Sequence, residues 1–419
     1  MRIRRFDWGQ ADSVASEIRA WSTDVADAVD VEPIAREVIQ DGDSALLRLS
    51  ERFDGVAPSS LRVEASEIAT ALESLDPEVR EALEVAAANI RAVAEAQVDD
   101  TPHKVELPQG QAVVLQDIAV RSAGIYAPGG RAAYPSSVLM CCIAARAAGV
   151  ARLAVASPPG KDGRVHTVTL AACALCEVDE VYAVGGAQAI VAFAVGTESI
   201  EAVDVVAGPG NAWVREAKRW AYGRVGVDGL AGPSELMLIA GHDTELEWAA
   251  LDLCAQAEHG ADSPLIAASV EEAVLDGLEE QVEAMAAQRP SVADAPLALV
   301  HLPDLSDAVD LANAYAPEHL QLISEDAYAL AAKVQSAGCV FVGRSSATAF
   351  GDYAAGSNHV LPTGGAGRFT GPLGPQAFRR RIANVSLPGP AAAALAPYVD
   401  ALARAEGFPV HGESARARS

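Results

Sequence analysis

The sequence has few aromatic residues, few cysteines and few cations for its length. Of 419 residues, 5% are aromatic, 6 are cysteine and 31 are Lys or Arg against 57 Asp or Glu, so the net charge is -26. Such an acidic chain repels a phosphate backbone, and we expect no nucleic-acid partner. So few cysteines do not make a disulfide scaffold. The CxxC pair Cys173 and Cys176 lies in an Ala-rich segment, which favours buried packing over a zinc or redox site.

Long apolar runs are also missing. No uninterrupted apolar segment reaches about 18 residues, and the first residues, MRIRRFDWGQADSV, lack the apolar stretch of a signal peptide. We therefore expect a cytoplasmic protein with no membrane partner. Hydrophobic residues still make up 50% of the chain. A chain of this size is expected to form two or three domains with large cores.

The hydrophobic pattern indicates an α/β protein. A helix is predicted in DPEVREALEVAAANIRAVAEAQ, with Asp76 as the cap, Pro77 at its first position and an apolar face that includes Val79 and Val93. Between about residues 113 and 240, short β-rich runs each precede a Gly-rich turn and an Ala-rich helix, and a second such stretch spans about 245–375. This alternation predicts βαβ units with parallel sheets, which bind ligands beyond the carboxyl ends of their strands.

Two motifs contain a histidine beside other polar groups. In CAQAEHGADSP, Gln256 and His259 are three residues apart and would converge on one helix face, although a polar helix end explains the same pattern. In YAPEHLQLIS, a helix is predicted to start at Pro317, with Glu318 and His319 in its first turn. A histidine there stays neutral and available as a base, but an acid in a first turn is also a common stabilising feature of helices.

A loop and the tail offer further candidates. Asp352 and His359 lie in GDYAAGSNHVLPT, a Gly-rich segment with loop chemistry, and His411 lies in the polar tail. Together with Gln256 and His259, Asp352 and His411 supply two nitrogen and two oxygen donors, which suit zinc. Spacing alone does not bring the four together. None of the glycine turns completes GxGxxG, so a dinucleotide site is only weakly indicated by motif.

Several segments, in order along the chain, carry a family pattern: YAPGGRAAYPSSVLM, VGGAQAI, AGPGNAWV, GPSELMLIA, AQAEHG, APEHL, GDYAAGSNHVLPT and AEGFPVH. Through them nearly the whole chain resembles the L-histidinol dehydrogenase family. The resemblance implies a four-electron oxidation, the last step of histidine biosynthesis, in which L-histidinol passes through L-histidinaldehyde to L-histidine and NAD is reduced twice. It also implies roles for two residues: His319 as the general base towards the alcohol, and Glu318 as the base that activates water for the aldehyde.

The resemblance implies the remaining site residues by position. One zinc ion per subunit would be bound by Gln256, His259, Asp352 and His411, and these ligands would also contact the substrate. Further substrate contacts are implied for Ser234, His319, His359 and Glu406. Contacts with NAD are implied for Tyr126, Gln188 and Asn211.

The resemblance further implies the architecture: two incomplete Rossmann-like domains with small terminal segments, in an intertwined homodimer. The implied boundaries are an N-terminal arm at 1–29, a zinc and substrate domain at 30–112 with 236–378, an NAD domain at 113–235, and a dimer-exchanging segment at 379–419 that brings Glu406 and His411 to the other subunit. Three alternatives stay open: a related dehydrogenase for another small alcohol, a zinc hydrolase, and a non-catalytic binding protein.

Overall fold

A computed structural model describes residues 1–22, 29–129, 132–178 and 180–419. The arm predicted at 1–29 and the segment YAPGGRAAYPSSVLM both extend into residues outside these ranges. The helices are α1 Ala11–Ser22, α2 Glu32–Asp54, α3 Ala65–Ala71, α4 Pro77–Glu95, α5 Pro135–Ala147, α6 Thr167–Leu175, α7 Gly186–Val195, α8 Ala212–Ala221, α9 Leu246–Ala257, α10 Glu272–Gln288, α11 Leu305–Tyr315, α12 Ala327–Ala331, α13 Thr348–Tyr353, α14 Gly389–Ala405 and α15 Pro409–Arg416.

The strands alternate with these helices along most of the chain, which confirms the predicted α/β class. They are β1 Arg2–Phe6, β2 His103–Glu106, β3 Ala112–Ala119, β4 Ser122–Tyr126, β5 Arg152–Ser157, β6 Glu180–Ala183, β7 Val205–Ala207, β8 Gly226–Val227, β9 Leu236–Ala240, β10 Leu265–Ser269, β11 Pro296–His301, β12 His319–Ile323, β13 Cys339–Val342 and β14 Arg379–Ser386.

The first sheet is parallel throughout, in the order β1-β11-β10-β9-β12-β13. Its central strands are buried on both faces. In β9, for example, Met237 and Ile239 belong to one apolar cluster, whereas Leu236, Leu238 and Ala240 belong to the cluster on the opposite face. Helices on both sides exclude water from such a strand, which explains its continuous apolar run.

The second sheet is also parallel, in the order β6-β5-β4-β7-β8. Two apolar clusters again cover its two faces. Cys173 and Cys176 are buried in one of them, as expected of packing residues. A smaller antiparallel sheet of order β14-β3-β2 joins the C-terminal segment to the rest of the chain.

The N-terminal helices differ in part from their predicted places. Helix α4 has the predicted cap, because Asp76 accepts a hydrogen bond of 2.9 Å from the backbone N–H of Glu78. Two of its predicted core residues, Val79 and Val93, are exposed instead. Helices α2, α3 and α4 pack on α7, α6 and α5 of the second sheet, whereas β1 belongs to the first sheet. The predicted domain boundaries, 30–112 with 236–378 and 113–235, stay a prediction.

The tail, from β14 to the C-terminus, has much exposed apolar surface. Helices α14 and α15 pack mainly against each other. Tyr398, Leu402, Phe408 and Val410 are each more than half exposed. Among the helices that the structure describes, none is both long enough and apolar enough to cross a membrane.

Candidate active site

The motif residues of the first sheet meet at the amino ends of two neighbouring strands. Ser234 and Glu235 directly precede β9, and Glu318 directly precedes β12, which begins at His319 and pairs with β9 in parallel. The predicted helix at Glu318 and His319 is therefore wrong. The five residues of β12 are all buried between β9 and β13, and that burial favours the strand.

Glu318 is held by two hydrogen bonds from this edge. One carboxylate oxygen, Oε2, accepts a bond of 2.5 Å from the hydroxyl of Ser234 and one of 2.8 Å from the backbone N–H of Glu235. The residue is buried. Because both bonds reach the same oxygen, Oε1 accepts no hydrogen bond from the residues that the structure describes and can accept a proton from another group.

His319 lies beside it with a defined tautomer. Its Nδ1 is 2.9 Å from the carbonyl oxygen of Glu235, and since a carbonyl only accepts, Nδ1 carries the proton in this bond. Its Nε2 is buried without a hydrogen-bond partner among the described residues, 3.6 Å from Oδ1 of Asp352. Burial lowers the pKa of His319, but the carboxylates of Glu318 and Asp352 outweigh burial and raise that pKa well above its ordinary value. Nε2 therefore binds a proton tightly, and the expectation of a histidine kept neutral by a helix start is wrong because no helix begins here.

Asp352 and His359 lie next to His319. Asp352 lies in the short helix α13 and not in a loop as predicted. Burial raises the pKa of Asp352, but the nearby His319, with Nε2 3.6 Å from Oδ1, outweighs burial and lowers that pKa below its usual range, so the side chain is a carboxylate. His359 has Nδ1 2.9 Å from the carbonyl of Asp352 and Nε2 3.2 Å from the hydroxyl of Ser137. Burial lowers its pKa, so the ring is neutral.

Gln256 and His259 lie at the end of α9. Gln256 is buried, and its Nε2 donates a bond of 2.6 Å to the hydroxyl of Ser234, so its amide oxygen is left as a ligand atom. The helix ends at Ala257, and the backbone N–H of His259 donates to the carbonyl of Gln256 at 3.2 Å. His259 is exposed, and its charge contributes to the lowered pKa of Asp352. Gln256 therefore lies beside Ser234, and His259 lies near Asp352.

The tail residues lie elsewhere in the single chain. Glu406 caps the end of α14, and His411 in α15 has its ring 5.5 Å from the ring of Phe408; both polar residues are exposed. Within the described ranges, no three His, Cys, Asp or Glu side chains are close enough to hold a metal. His411 is thus not brought together with His259 and Asp352 by this chain alone.

The three residues expected to contact NAD lie at the carboxyl ends of strands in the second sheet. Tyr126 ends β4, and its hydroxyl accepts a bond of 3.1 Å from the N–H of Gly186; burial raises the pKa of Tyr126 to about 12. Gln188 follows β6 in α7 and is buried, with its Nε2 unpaired among the described residues. Asn211 follows β7 and caps α8 by accepting a bond of 3.1 Å from the N–H of Trp213. Ligands bind at this edge of parallel sheets.

A buried ion pair that the sequence did not single out supports this edge. Lys218 and Asp228 lie 2.7 Å apart, and Asp228 also accepts a bond of 2.8 Å from the N–H of Gly208. Gly208 has φ +118°, and a Cβ there would lie 2.1 Å from the carbonyl oxygen of Tyr126. Only glycine fits this position, which explains the GPGN turn that carries Asn211.

A hydrogen bond connects the two edges. Ser137, at the start of α5 beside the second sheet, has its hydroxyl 3.2 Å from Nε2 of His359. A base and a carboxylate from the amino edge of one sheet thus lie beside the carboxyl edge of the other. This arrangement suits proton removal at one molecule and hydride transfer to a second molecule.

Comparisons with known proteins agree with one another. Residues 19–419 match the family model described as histidinol dehydrogenase. The chain is 45% identical to histidinol dehydrogenase from Thermobifida fusca, over 97% of this chain and 95% of that protein. It is 43% identical to the enzyme of the same name from Ruegeria pomeroyi, over 94% of this chain and 93% of that one. The crystal structure of histidinol dehydrogenase from Elizabethkingia anophelis superposes with a TM-score of 0.92 at 31% identity, covering 100% of this chain and 98% of that one.

Proposed function

Since the chain belongs to the histidinol dehydrogenase family, an oxidoreductase family of histidine biosynthesis, we propose that it is the zinc-containing, NAD-dependent form of this enzyme. It oxidises L-histidinol through L-histidinaldehyde to L-histidine. The observation that carries the proposal is the buried pair formed by Glu318 and His319: among the described residues, neither Nε2 of His319 nor Oε1 of Glu318 has a hydrogen-bond partner.

His319 serves the first oxidation. Its Nε2 takes the proton from the substrate hydroxyl while the carbon transfers hydride to NAD, which leaves the aldehyde, reduced NAD and a protonated imidazole. In the neutral ring, the bond from Nδ1 to the carbonyl of Glu235 places the single ring proton on Nδ1, so Nε2 is the nitrogen that accepts the substrate proton. The raised pKa of His319 increases its affinity for the proton that it accepts.

Glu318 serves the second oxidation. Its free oxygen takes a proton from water as that water adds to the aldehyde carbon, and the protonated His319 returns its proton to the carbonyl oxygen. The product is the hydrated aldehyde. A second NAD takes hydride from this carbon while a hydroxyl proton passes to His319, which is neutral again, and this gives the carboxylic acid. Ser234 and the backbone of Glu235 hold the carboxylate in place through both steps.

The residues around this pair fit a zinc ion. The amide oxygen of Gln256, the imidazole of His259 and the carboxylate of Asp352 are nitrogen and oxygen donors of the kind that zinc accepts, and the lowered pKa of Asp352 keeps that ligand ionised. We assign the fourth position to His411 of the partner subunit. When bound, the ion would orient the substrate.

The exposed tail supports a homodimer in which this exchange takes place. Phe408 and Val410 are 56% and 69% exposed, and they lie at the start of α15, which carries His411. Apolar side chains in such a group are typical of a surface that another chain covers. In the proposed dimer, Glu406 and His411 complete the site of the other subunit, so a separated monomer is inactive.

For NAD, we propose the edge of the second sheet. Tyr126, Gln188 and Asn211 lie together at the ends of β4, β6 and β7, and the buried Nε2 of Gln188 has no partner among the described residues. Backbone N–H groups at the starts of α7 and α8 favour the negative charge of a pyrophosphate. The proposed NAD site therefore needs no complete GxGxxG motif.

The test follows reduced nicotinamide by absorbance after L-histidinol is added to zinc-loaded enzyme with NAD. The matched variant is His319→Asn, whose amide can still donate to the carbonyl of Glu235. We expect turnover by the wild type and a loss of about 100-fold or more in the variant, since a general base contributes about 100- to 10,000-fold. Absence of reduced nicotinamide with the wild type would overturn the proposal. Faster turnover of another small alcohol would reassign the substrate, and hydrolysis without NAD would indicate a zinc hydrolase.

A further inference from the structure

Glu235 contacts both proposed catalytic residues through its backbone. Its N–H donates to the carboxylate of Glu318 at 2.8 Å, and its carbonyl accepts from Nδ1 of His319 at 2.9 Å. A small rotation of the backbone at Glu235 would change the orientation of the side chains of both Glu318 and His319. The conformation of Glu235 is therefore tied to both proton transfers in the proposed function.

The side chain of Glu235 is buried and paired with an N-terminal helix. Its Oε1 accepts a bond of 3.0 Å from Nη1 of Arg19 and one of 3.2 Å from the N–H of Gly364, whereas its Oε2 has no partner among the described residues. Removing a carboxylate from water is unfavourable, and a single partly exposed arginine compensates it incompletely. Stability alone is thus a poor explanation for this pair.

Arg19 also holds the chain segment that leads to Glu318. Its Nη2 donates a bond of 2.6 Å to the carbonyl of Tyr315, and its guanidinium lies 4.1 Å from the centre of the Tyr315 ring. Tyr315 ends α11, and the next residue, Ala316, has φ +51°, a left-handed conformation that is sterically disfavoured for alanine. The turn from α11 into β12 therefore needs an external restraint, which Arg19 provides.

We propose that Arg19 and Glu235 form a positioning pair for Glu318 and His319. One guanidinium fork joins the two segments that carry the site: the start of β9 through Glu235, and the turn before β12 through Tyr315. The pair does not touch the substrate. It sets the distance between the carboxylate and the imidazole, and it rests on the proposed function for its effect on turnover.

The test compares Arg19→Met, which keeps the length but removes both donors, with Arg19→Lys, which keeps the charge and a donor. Misplacing reacting groups by about 1 Å can cost about 100-fold in rate, so we expect kcat of Arg19→Met to fall roughly 10- to 100-fold. The KM values for L-histidinol and NAD should stay within about twofold, because the groups that bind them are unchanged. Arg19→Lys should recover part of the lost kcat.

Glu235 is tested through the acceptor that it supplies. Glu235→Gln keeps an oxygen for Arg19 and Gly364 and should retain most of kcat, whereas Glu235→Leu should lose as much as Arg19→Met. The double variant Arg19→Met with Glu235→Leu should be no slower than either single variant by more than about twofold, because residues that act as one unit are not additive.

A matched control comes from the same end of the chain. Arg5 pairs with Asp276 at 2.5 Å and with Glu279 at 2.7 Å, which ties β1 to α10 without reaching the site. Arg5→Met should keep kcat, and its unfolding midpoint shows what loss of an N-terminal ion pair does to stability. The proposal is overturned if kcat of Arg19→Met matches that of Arg5→Met, if the loss appears in KM, or if the Arg19 and Glu235 effects add. If the wild type itself does not oxidise L-histidinol, the proposed function fails first and the positioning role fails with it.

Discussion

The division of labour between Glu318 and His319 can be tested by replacing Glu318 with Gln. The amide has the shape of the carboxylate, and its oxygen can still accept from the hydroxyl of Ser234 or the N–H of Glu235. The fold and the alcohol step should therefore survive, because Nε2 of His319 keeps its place. What disappears is the free carboxylate oxygen that takes a proton from water.

The size of the loss follows from the role. A positioned general base contributes about 100- to 10,000-fold, which is about 3 to 5 kcal/mol of barrier. We expect this loss in the step from aldehyde to acid, and a loss of about tenfold or less in the step from alcohol to aldehyde. The intermediate aldehyde should then accumulate.

The assay supplies L-histidinol with a carbonyl-trapping reagent and measures the trapped aldehyde, the L-histidine and the reduced NAD. Glu258→Gln is the matched control, since Glu258 is an exposed acid beside His259 for which we propose no role. For Glu318→Gln, we expect trapped aldehyde and little L-histidine. Formation of L-histidine at the wild-type rate would refute the assignment of Glu318 as the base of the second step.

The other predictions concern the metal, the dimer, the NAD edge and stability. Removing zinc with a chelator should abolish turnover and leave NAD binding, measured by nucleotide titration, largely unchanged; activity that survives complete removal contradicts the orienting role. Two inactive variants, His259→Ala and His411→Ala, should regain activity when co-expressed, because one site of the mixed dimer is intact; no recovery argues against the exchange. Gly208→Ala should weaken NAD binding measured by titration, since its Cβ would lie 2.1 Å from the carbonyl oxygen of Tyr126, and unchanged affinity contradicts that reasoning. Burial and the nearby Glu318 raise the pKa of Glu235 from 4.5 to about 7, although the charge of Arg19 lowers it. The carboxyl group of Glu235 therefore binds a proton more tightly in the folded protein than in the unfolded chain. The free energy of unfolding should therefore fall by up to about 3 kcal/mol as pH rises from about 4.5 to about 7. Glu235→Gln should lack that part of the slope in denaturant titrations, and identical slopes contradict the pKa assignment.

Much of the fold could be predicted because each signal is local. The alternation of β-rich runs with Gly turns and Ala-rich helices predicts parallel sheets, and both large sheets are parallel. The cap at Asp76 follows from its own neighbours. The exposed Val79 and Val93 show the limit of periodicity, because α4 packs on α5 over a narrower stripe than its apolar residues span.

The sequence predicts the wrong local structure at Glu318 and His319, because contacts with distant strands decide it. Pro317 and an acid resemble the start of a helix, but β12 pairs with both β9 and β13, and burial between them outweighs the local signal. The correction moves the site to the amino edge of the first sheet. The expectation of ligands at carboxyl ends applies instead to the second sheet, where Tyr126 and Asn211 lie.

Long-range pairs have no signature in a single sequence. Arg19 and Glu235 are 216 residues apart, and neither stands in a motif whose chemistry predicts the other. Lys218 and Asp228 are only 10 apart, but nothing in their spacing distinguishes a buried pair from two surface charges. Such groups come together only in the folded chain. Their roles can therefore be inferred only from the distances between their atoms in the structure.

The most direct measurement is the number of NAD molecules reduced for each L-histidinol consumed by the zinc-loaded wild-type protein. Oxidation of an alcohol to an acid removes four electrons, and each NAD accepts two of them as hydride. We predict a ratio of two, with L-histidine as the product. A ratio of one, with the aldehyde as the product, would contradict the paired roles of His319 and Glu318.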